Sequence, residues 1–434
     1  MTDFMRLPLD SAAASAPLWL QDYLREARSR WEGSTLPTRK TEEWKYTGLQ
    51  ALRVSYAAAS EGVVGLAEAG VELPHFGGYR LVFINGRYCA EHSDGNLPEG
   101  VSLVRFADAG PAQAAAIRDH LGAAVGREEG LFTALNDASL EDGVFVEIEA
   151  RVRVEQPLHV VWISGNQEQA FSINQRLLVL CRQDSTASVI EQFCGARSEQ
   201  QSFTNGVTEL LLEDGATLNH YRIHLEEAAA AHIGRQHARL ETGATLNSFH
   251  LALGSVLKRI DVVVDHCGQR AHSELNGLYL PRGDEHVDYH TCIEHRVPNC
   301  TSTETFRGII GDEATAVFNG RIHIHRDAQK TNAQLSNRNL LTSTRAEVNT
   351  KPELEIYADD VQCSHGATVA QLDEMSLHYL RSRGVSRAQA QTMLSFGFVN
   401  EVVDTVRCEP LRDYLRGIHT RRFARDPAIT GSMV

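Results

Sequence analysis

The sequence predicts a mainly β protein: a β-helix (solenoid) core flanked by N-terminal and C-terminal helical regions. Three observations carry that prediction. From residue 144 the apolar period shortens to the strand value of two, and roughly 220 residues follow with no convincing helix. Within that stretch Glu213-Asp-Gly-Ala-Thr-Leu-Asn-His-Tyr221 recurs as Glu241-Thr-Gly-Ala-Thr-Leu-Asn-Ser-Phe249, displaced by 28 residues. After Val369 the helical period returns.

The 434 residues require more than one structural unit or one elongated solenoid. A net charge of −14 disfavours a general nucleic-acid binder, which would show a basic face. The first ten residues are neither a basic leader nor followed by an apolar stretch, so no secretory signal is visible. No long uncharged apolar run could span a membrane. The expectation is a cytoplasmic protein with neither nucleic acid nor membrane as a partner. The eight cysteines form no CxxC pair, and in a reducing compartment each reads by default as a free, mostly buried small hydrophobe.

Residues 1–143 read as a mixed, mainly helical N-terminal region. Trp19, Leu20, Tyr23 and Leu24 share a helical spacing, and Pro37 ends that pattern. Arg39-Lys-Thr-Glu-Glu-Trp-Lys-Tyr46 is a polar segment with two large aromatics. Leu81–Tyr88 reads as a strand running into an Asn-Gly turn, and residues 110–140 as an Ala-rich helical stretch.

Residues 144–369 form the predicted solenoid. Val144–Glu149, Leu158–Ile163, Arg176–Cys181 and Ser188–Phe193 are short β runs divided by polar turns. Weaker copies of the repeat begin at Ala271 and Asp312. A fixed step means one structural unit per repeat, stacked so that neighbours bury a continuous core. A closed sandwich is the alternative, and it leaves the repeat unexplained.

Residues 370–434 return to helix. Asp373 can cap a helix through Leu380, with Gly384 at its C′ position. Ser386 and Gln389 form a capping box for a helix bearing Met393, Leu394, Phe396, Phe398 and Val402. A short amphipathic stretch, Cys408–Arg416, precedes a basic tail, Arg421–Arg425. The aromatic helix must bury its apolar face on the solenoid end or on a partner.

Enzyme motifs are missing. The chain has no GxxxxGK[ST], no strand–GxGxxG–helix, no GxSxG and no HExxH. His323 and His325 flank Ile324 and share a strand face, either as a two-histidine metal edge or as solvent-facing residues over inward isoleucines. His220, His224, His232, His237 and His250 read as alternating polar positions on the repeat faces. Cys292, His295 and Cys300 match no standard metal knuckle.

Cys363 and His365 stand apart. Two residues apart on an extended backbone, they point the same way, and a thiol with an imidazole can hold part of a thiophilic metal site. Two ligands cannot close such a site. A buried cysteine beside a surface histidine is the plainer reading. A Cys/His nucleophile pair is disfavoured, because adjacent same-face side chains rarely align as a nucleophile and its base.

The string Thr350-Lys-Pro-Glu-Leu-Glu-Ile-Tyr-Ala-Asp-Asp-Val-Gln-Cys-Ser-His-Gly-Ala-Thr-Val369 resembles the signature segment of the SufB/SufD family of iron–sulfur cluster assembly proteins. The resemblance extends through Gln329–Gln334, Asn337–Leu341, Tyr379–Gly384 and Phe396–Val399, and to Arg39–Tyr46 at the other end. Within the family the Cys-Ser-His-Gly-Ala-Thr string is similar to the SufD branch. The resemblance implies a right-handed parallel β-helix and a non-catalytic scaffold, with no bound nucleotide. Its implied partners are a SufB-like subunit and SufC-like ATPase subunits. A transient iron–sulfur cluster would be shared with the SufB-like chain, with His365, and Cys363 beside it, contributing to the site. Met393, Leu394, Phe396 and Phe398 would belong to the element that docks the ATPase. Whether the isolated chain forms a homodimer stays open. Two other functions compete: a self-contained metal-binding or redox-sensing β-helix protein using Cys363 and His365, and a carbohydrate-active β-helix enzyme, for which no catalytic cluster is evident.

Overall fold

The computed structural model describes residue 9 and residues 16–32, 34–59, 71, 73–125, 130–195, 199–226 and 228–423. The end of the basic tail, Ala424 and Arg425, lies outside the described residues. Preceding the coils are β1 (Ala57–Ala58), β2 (Tyr79–Ile84), β3 (Arg87–Tyr88) and β4 (Val101–Arg105). The coils begin with β5 (Val144–Ile148), β6 (Leu158–Ser164), β7 (Phe171–Cys181), β8 (Thr186–Gly195), β9 (Ser202–Leu212) and β10 (Thr217–His224). They continue through β11 (Ala230–Leu240), β12 (Thr245–Leu253), β13 (Leu257–His266), β14 (His272–Leu280) and β15 (His286–His295). The last five are β16 (Thr301–Ile310), β17 (Thr315–Ile324), β18 (Thr331–Leu341), β19 (Glu347–Ile356) and β20 (Val361–Gln371).

Successive strands alternate between two sheets. Odd strands β5 to β19 pair in one, each with the strand two places on, and even strands β6 to β20 pair in the other. The pairing is parallel throughout these coils, for example between β10 and β12 and between β15 and β17. This is the parallel β-solenoid that the repeat predicts. The two copies of the repeat lie side by side: Thr217, Leu218 and Asn219 pair in register with Thr245, Leu246 and Asn247. Leu218 and Leu246 are wholly buried, each contributing roughly 1.5–3 kcal/mol of apolar burial. Their neighbours Asn219 and Asn247 hydrogen-bond each other at 3.0 Å. The Gly of each copy, Gly215 and Gly243, has φ of +67° and +68°, which explains a glycine at both tight entries to a strand.

The N-terminal region covers the outside of the early coils. β2 pairs in parallel with β6 and turns through Asn85-Gly86, both at positive φ, into antiparallel β3. Helices α1 (Gln21–Glu32), α2 (Pro111–His120) and α3 (Leu131–Ala138) follow the predicted helical stretches. Trp31 of α1 and Leu135 of α3 enter one apolar cluster with Phe203 and Ile233 of the coils. Buried Arg176 on β7 anchors α3 through Asp137 at 2.8 Å and also pairs with Glu209 at 2.5 Å. The Arg39–Tyr46 segment lies against the first sheet, where the Arg259 guanidinium stacks 4.0 Å from the Trp44 ring centroid.

At the other end are α4 (Glu374–Ser382), α5 (Arg387–Val403) and α6 (Glu409–Phe423). Asp373 accepts the Ser376 N–H at 2.8 Å, and Ser386 with Gln389 closes the expected capping box. The helix predicted over Cys408–Arg416 runs on to Phe423, absorbing the start of the basic tail. The reason is Arg422, which is buried, pairs with Glu285 and donates to the Leu280 carbonyl at 3.0 Å. Val399, Val402 and Val403 of α5 pack on Leu278 and Ile309 of the second sheet, and half-buried Phe398 joins them. No helix among the described residues is long and apolar enough to cross a membrane.

Candidate functional site

Each coil caps the one before it, and among the described residues no further strand covers the last coil. β19 and β20 are the outer strands of the two sheets, each with a partner on one side only. Residues that would be interior in an earlier coil are therefore open here. Cys363 and His365 pair in register with Ala333 and Leu335 of β18, both buried and facing inward. The two side chains thus share the inner face, over the end of the core. Cys363 is half-buried against that core, and burial pushes its thiol pKa up, partly offset by a hydrogen bond from the Ala333 backbone. His365 is exposed, and no described residue hydrogen-bonds or pairs with its ring.

The surrounding strand is open too. A Cβ built on Gly366 would meet no atom within 4 Å. Ile356, Tyr357 and Val369 are exposed apolar side chains on or beside the two edge strands. An uncovered parallel sheet edge offers unpaired backbone N–H and C=O groups as well as apolar surface, which natural proteins normally shield.

Beneath the edge is a polar scaffold that pattern reading did not single out. Gln329 accepts the Asp360 N–H at 2.8 Å and so fixes the turn entering β20. Asn337 Oδ1 accepts from Asn339 at 2.6 Å and from Thr350 at 2.8 Å, while its amide donates to Tyr279 Oη at 2.9 Å. These asparagines and Gln329 lie in the Gln329–Gln334 and Asn337–Leu341 strings, which resemblance had marked without explaining. One coil further in, Glu304 pairs in register with Leu335, below His365. Burial pushes its carboxyl up to about 8, against one stabilising bond from Thr291 at 2.5 Å.

Other sequence candidates separate. Cys292 faces outward, with its sulfur 3.3 Å from Glu294, whereas His295 and Cys300 are buried inside. There His295 meets His266 of the preceding coil, Nδ1 to Nδ1 at 3.0 Å, and each ring's other nitrogen contacts a serine. His220, His224, His232, His237 and His250, read from pattern as polar positions on the repeat faces, are all buried. Buried carboxylates hold three of them: Glu191 on His220 at 2.9 Å, Glu226 on His232 and Asp265 on His237, both at 3.0 Å. All eight cysteines are free, three buried and five half-buried. On α5, Met393 is exposed and Leu394 and Phe396 are half-buried.

The comparisons with known proteins converge. The family model for the SUF system FeS cluster assembly SufBD core domain matches residues 162–398, and that for the SufBD protein N-terminal region matches residues 10–160. The chain is 31% identical to an iron–sulfur cluster assembly SufBD family protein of Synechocystis, over 88% of this chain and 86% of that one. It is 31% identical to the iron–sulfur cluster assembly protein SufD of Escherichia coli, over 87% of each. It is 28% identical to the chloroplastic protein ABCI7 of Arabidopsis thaliana, over 94% of this chain and 86% of that one.

Proposed function

The chain belongs to the SufBD family of iron–sulfur cluster assembly proteins, and from that premise we propose that it is a non-catalytic scaffold subunit in a SufBCD-type complex. Its open solenoid end receives a SufB-like subunit, and the two chains together complete a site for a nascent cluster. His365 supplies an imidazole nitrogen to that site, and Cys363 lies beside it. The SufB-like chain supplies the ligands that two residues cannot. The C-terminal helices, through Met393, Leu394, Phe396 and Phe398, dock a SufC-like ATPase, to which nucleotide hydrolysis belongs.

One observation carries the reading: an exposed histidine that no described residue pairs with sits on the inner face of a last coil that no described residue caps. A second chain laid along β20 would cover it and would satisfy the sheet edge at the same time. The test is cluster reconstitution on the co-purified three-subunit complex. His365→Ala is expected to leave assembly of the complex intact and to lower cluster yield, with Cys363→Ala showing whether the thiol takes part. Loss of the complex itself in His365→Ala would make the histidine structural, and full cluster yield would remove it from the site.

A further inference from the structure

The outer face of the first sheet brings together a second group of ligand atoms, away from the open end of the core. Glu294 on β15 pairs in register with His323 on β17. His325 follows two residues later, with Ile324 between them pointing into the core and wholly buried. His323 presents Nδ1 and His325 presents Nε2, and each lies 2.8 Å from the same oxygen, Glu294 Oε2. Because the two rings offer different nitrogens, they converge on one point, with centroids 4.2 Å apart. All three donor atoms lie within 4.8 Å of one another.

The surroundings orient the carboxylate. Its other oxygen, Oε1, takes Arg321 at 3.3 Å and the Cys292 thiol at 3.3 Å, which leaves Oε2 to the imidazoles. Solvent reaches the cluster, since the His323 and His325 side chains are 20% and 33% exposed. Along this face Asp265 and Glu355 flank Glu294 and His323 in register, and the guanidinium groups of Arg239, Arg296 and Arg321 interleave with the three carboxylates. Two imidazoles and one carboxylate, with open positions toward solvent, suit a divalent first-row transition metal and do not form a closed structural site.

We propose that Glu294, His323 and His325 form a solvent-reachable binding site for a divalent transition-metal ion, separate from Cys363 and His365. The site goes beyond the scaffold reading and is tested on this chain alone, so its failure leaves the reconstitution test above untouched. The full-length chain is titrated anaerobically with Co(II), read by d–d absorption, and Fe(II) is then added in competition. One equivalent of Co(II) is expected to bind, and Fe(II), which stands below it in the usual affinity order, to displace it only when in excess. Glu294→Gln and His323→Ala are each expected to weaken binding by at least about tenfold, while Cys363→Ala and His365→Ala leave it unchanged. Circular dichroism checks that each variant is folded, and His325→Gln, at the most exposed ligand, replaces any that is not. Equal affinity in Glu294→Gln and the parent chain would overturn the proposal, as would loss of the Co(II) signal in His365→Ala. So would failure of the parent chain to bind.

Discussion

Glu304 and His365 lie in one inward-facing column, two coils apart with Leu335 between them, and their chemistry differs because later coils cover Glu304 and none among the described residues covers His365. Burial with no cationic partner among the described residues holds Glu304 protonated, with its pKa raised from 4.5 to about 8. The folded chain therefore binds this proton more tightly than the unfolded chain does. Its stabilising effect is complete below about pH 4.5 and is lost as pH rises through about 8, amounting to at most about 5 kcal/mol. Glu304→Gln keeps the shape and removes the titration. Urea unfolding of the variant is expected to lose less stability than the parent between pH 5 and 8, and identical slopes would show that Glu304 is ionised in the fold. Cys363 and His365 were legible in the sequence because a thiol and an imidazole two residues apart on a strand must share a face. Glu304 was not, since a lone glutamate in a β run carries no mark of which coil covers it.

At the scale of the element, β20 carries the function proposed for this chain. It pairs with β18 in the even ladder, but with no described successor it exposes its backbone edge and Val369. Val369→Asp places a charge on that edge at a side chain that is about half exposed. Such a surface change is expected to move stability by no more than about 0.5 kcal/mol. Co-purification with a SufB-like subunit is expected to fall sharply, and undiminished recovery would show that docking uses another face. The C-terminal helices teach a related lesson. Their existence and caps were readable from Asp373, Ser386, Gln389 and Gly384, because capping is local chemistry. Their extent was not: Arg422 extends α6 because Glu285, 137 residues earlier, is buried beside it.

Over the whole molecule, the solenoid buries an unusual amount of imidazole. Burial is the leading cause holding His159 down to about 3 and His295 and His419 to about 4, and it also lowers His224, His232, His250 and His266. These rings are neutral in the fold and protonate readily once it opens. Their contribution is thus present above the unfolded pKa near 6.5 and is lost as pH falls toward 4. The melting temperature is expected to drop steeply between pH 6.5 and 4.5, and a flat profile there would mean that the interior accommodates the charged rings. The sequence by itself determined the β-solenoid, its flanking helices, the repeat and the Cys363–His365 pair, because period, capping and spacing act over a few residues or recur at a constant step. Only the tertiary structure decided which coil is last, that His266 meets His295, and that Glu294 meets His323 and His325. Those contacts run across the stacking direction, where neighbours are set by the length of each intervening coil and no local pattern records it.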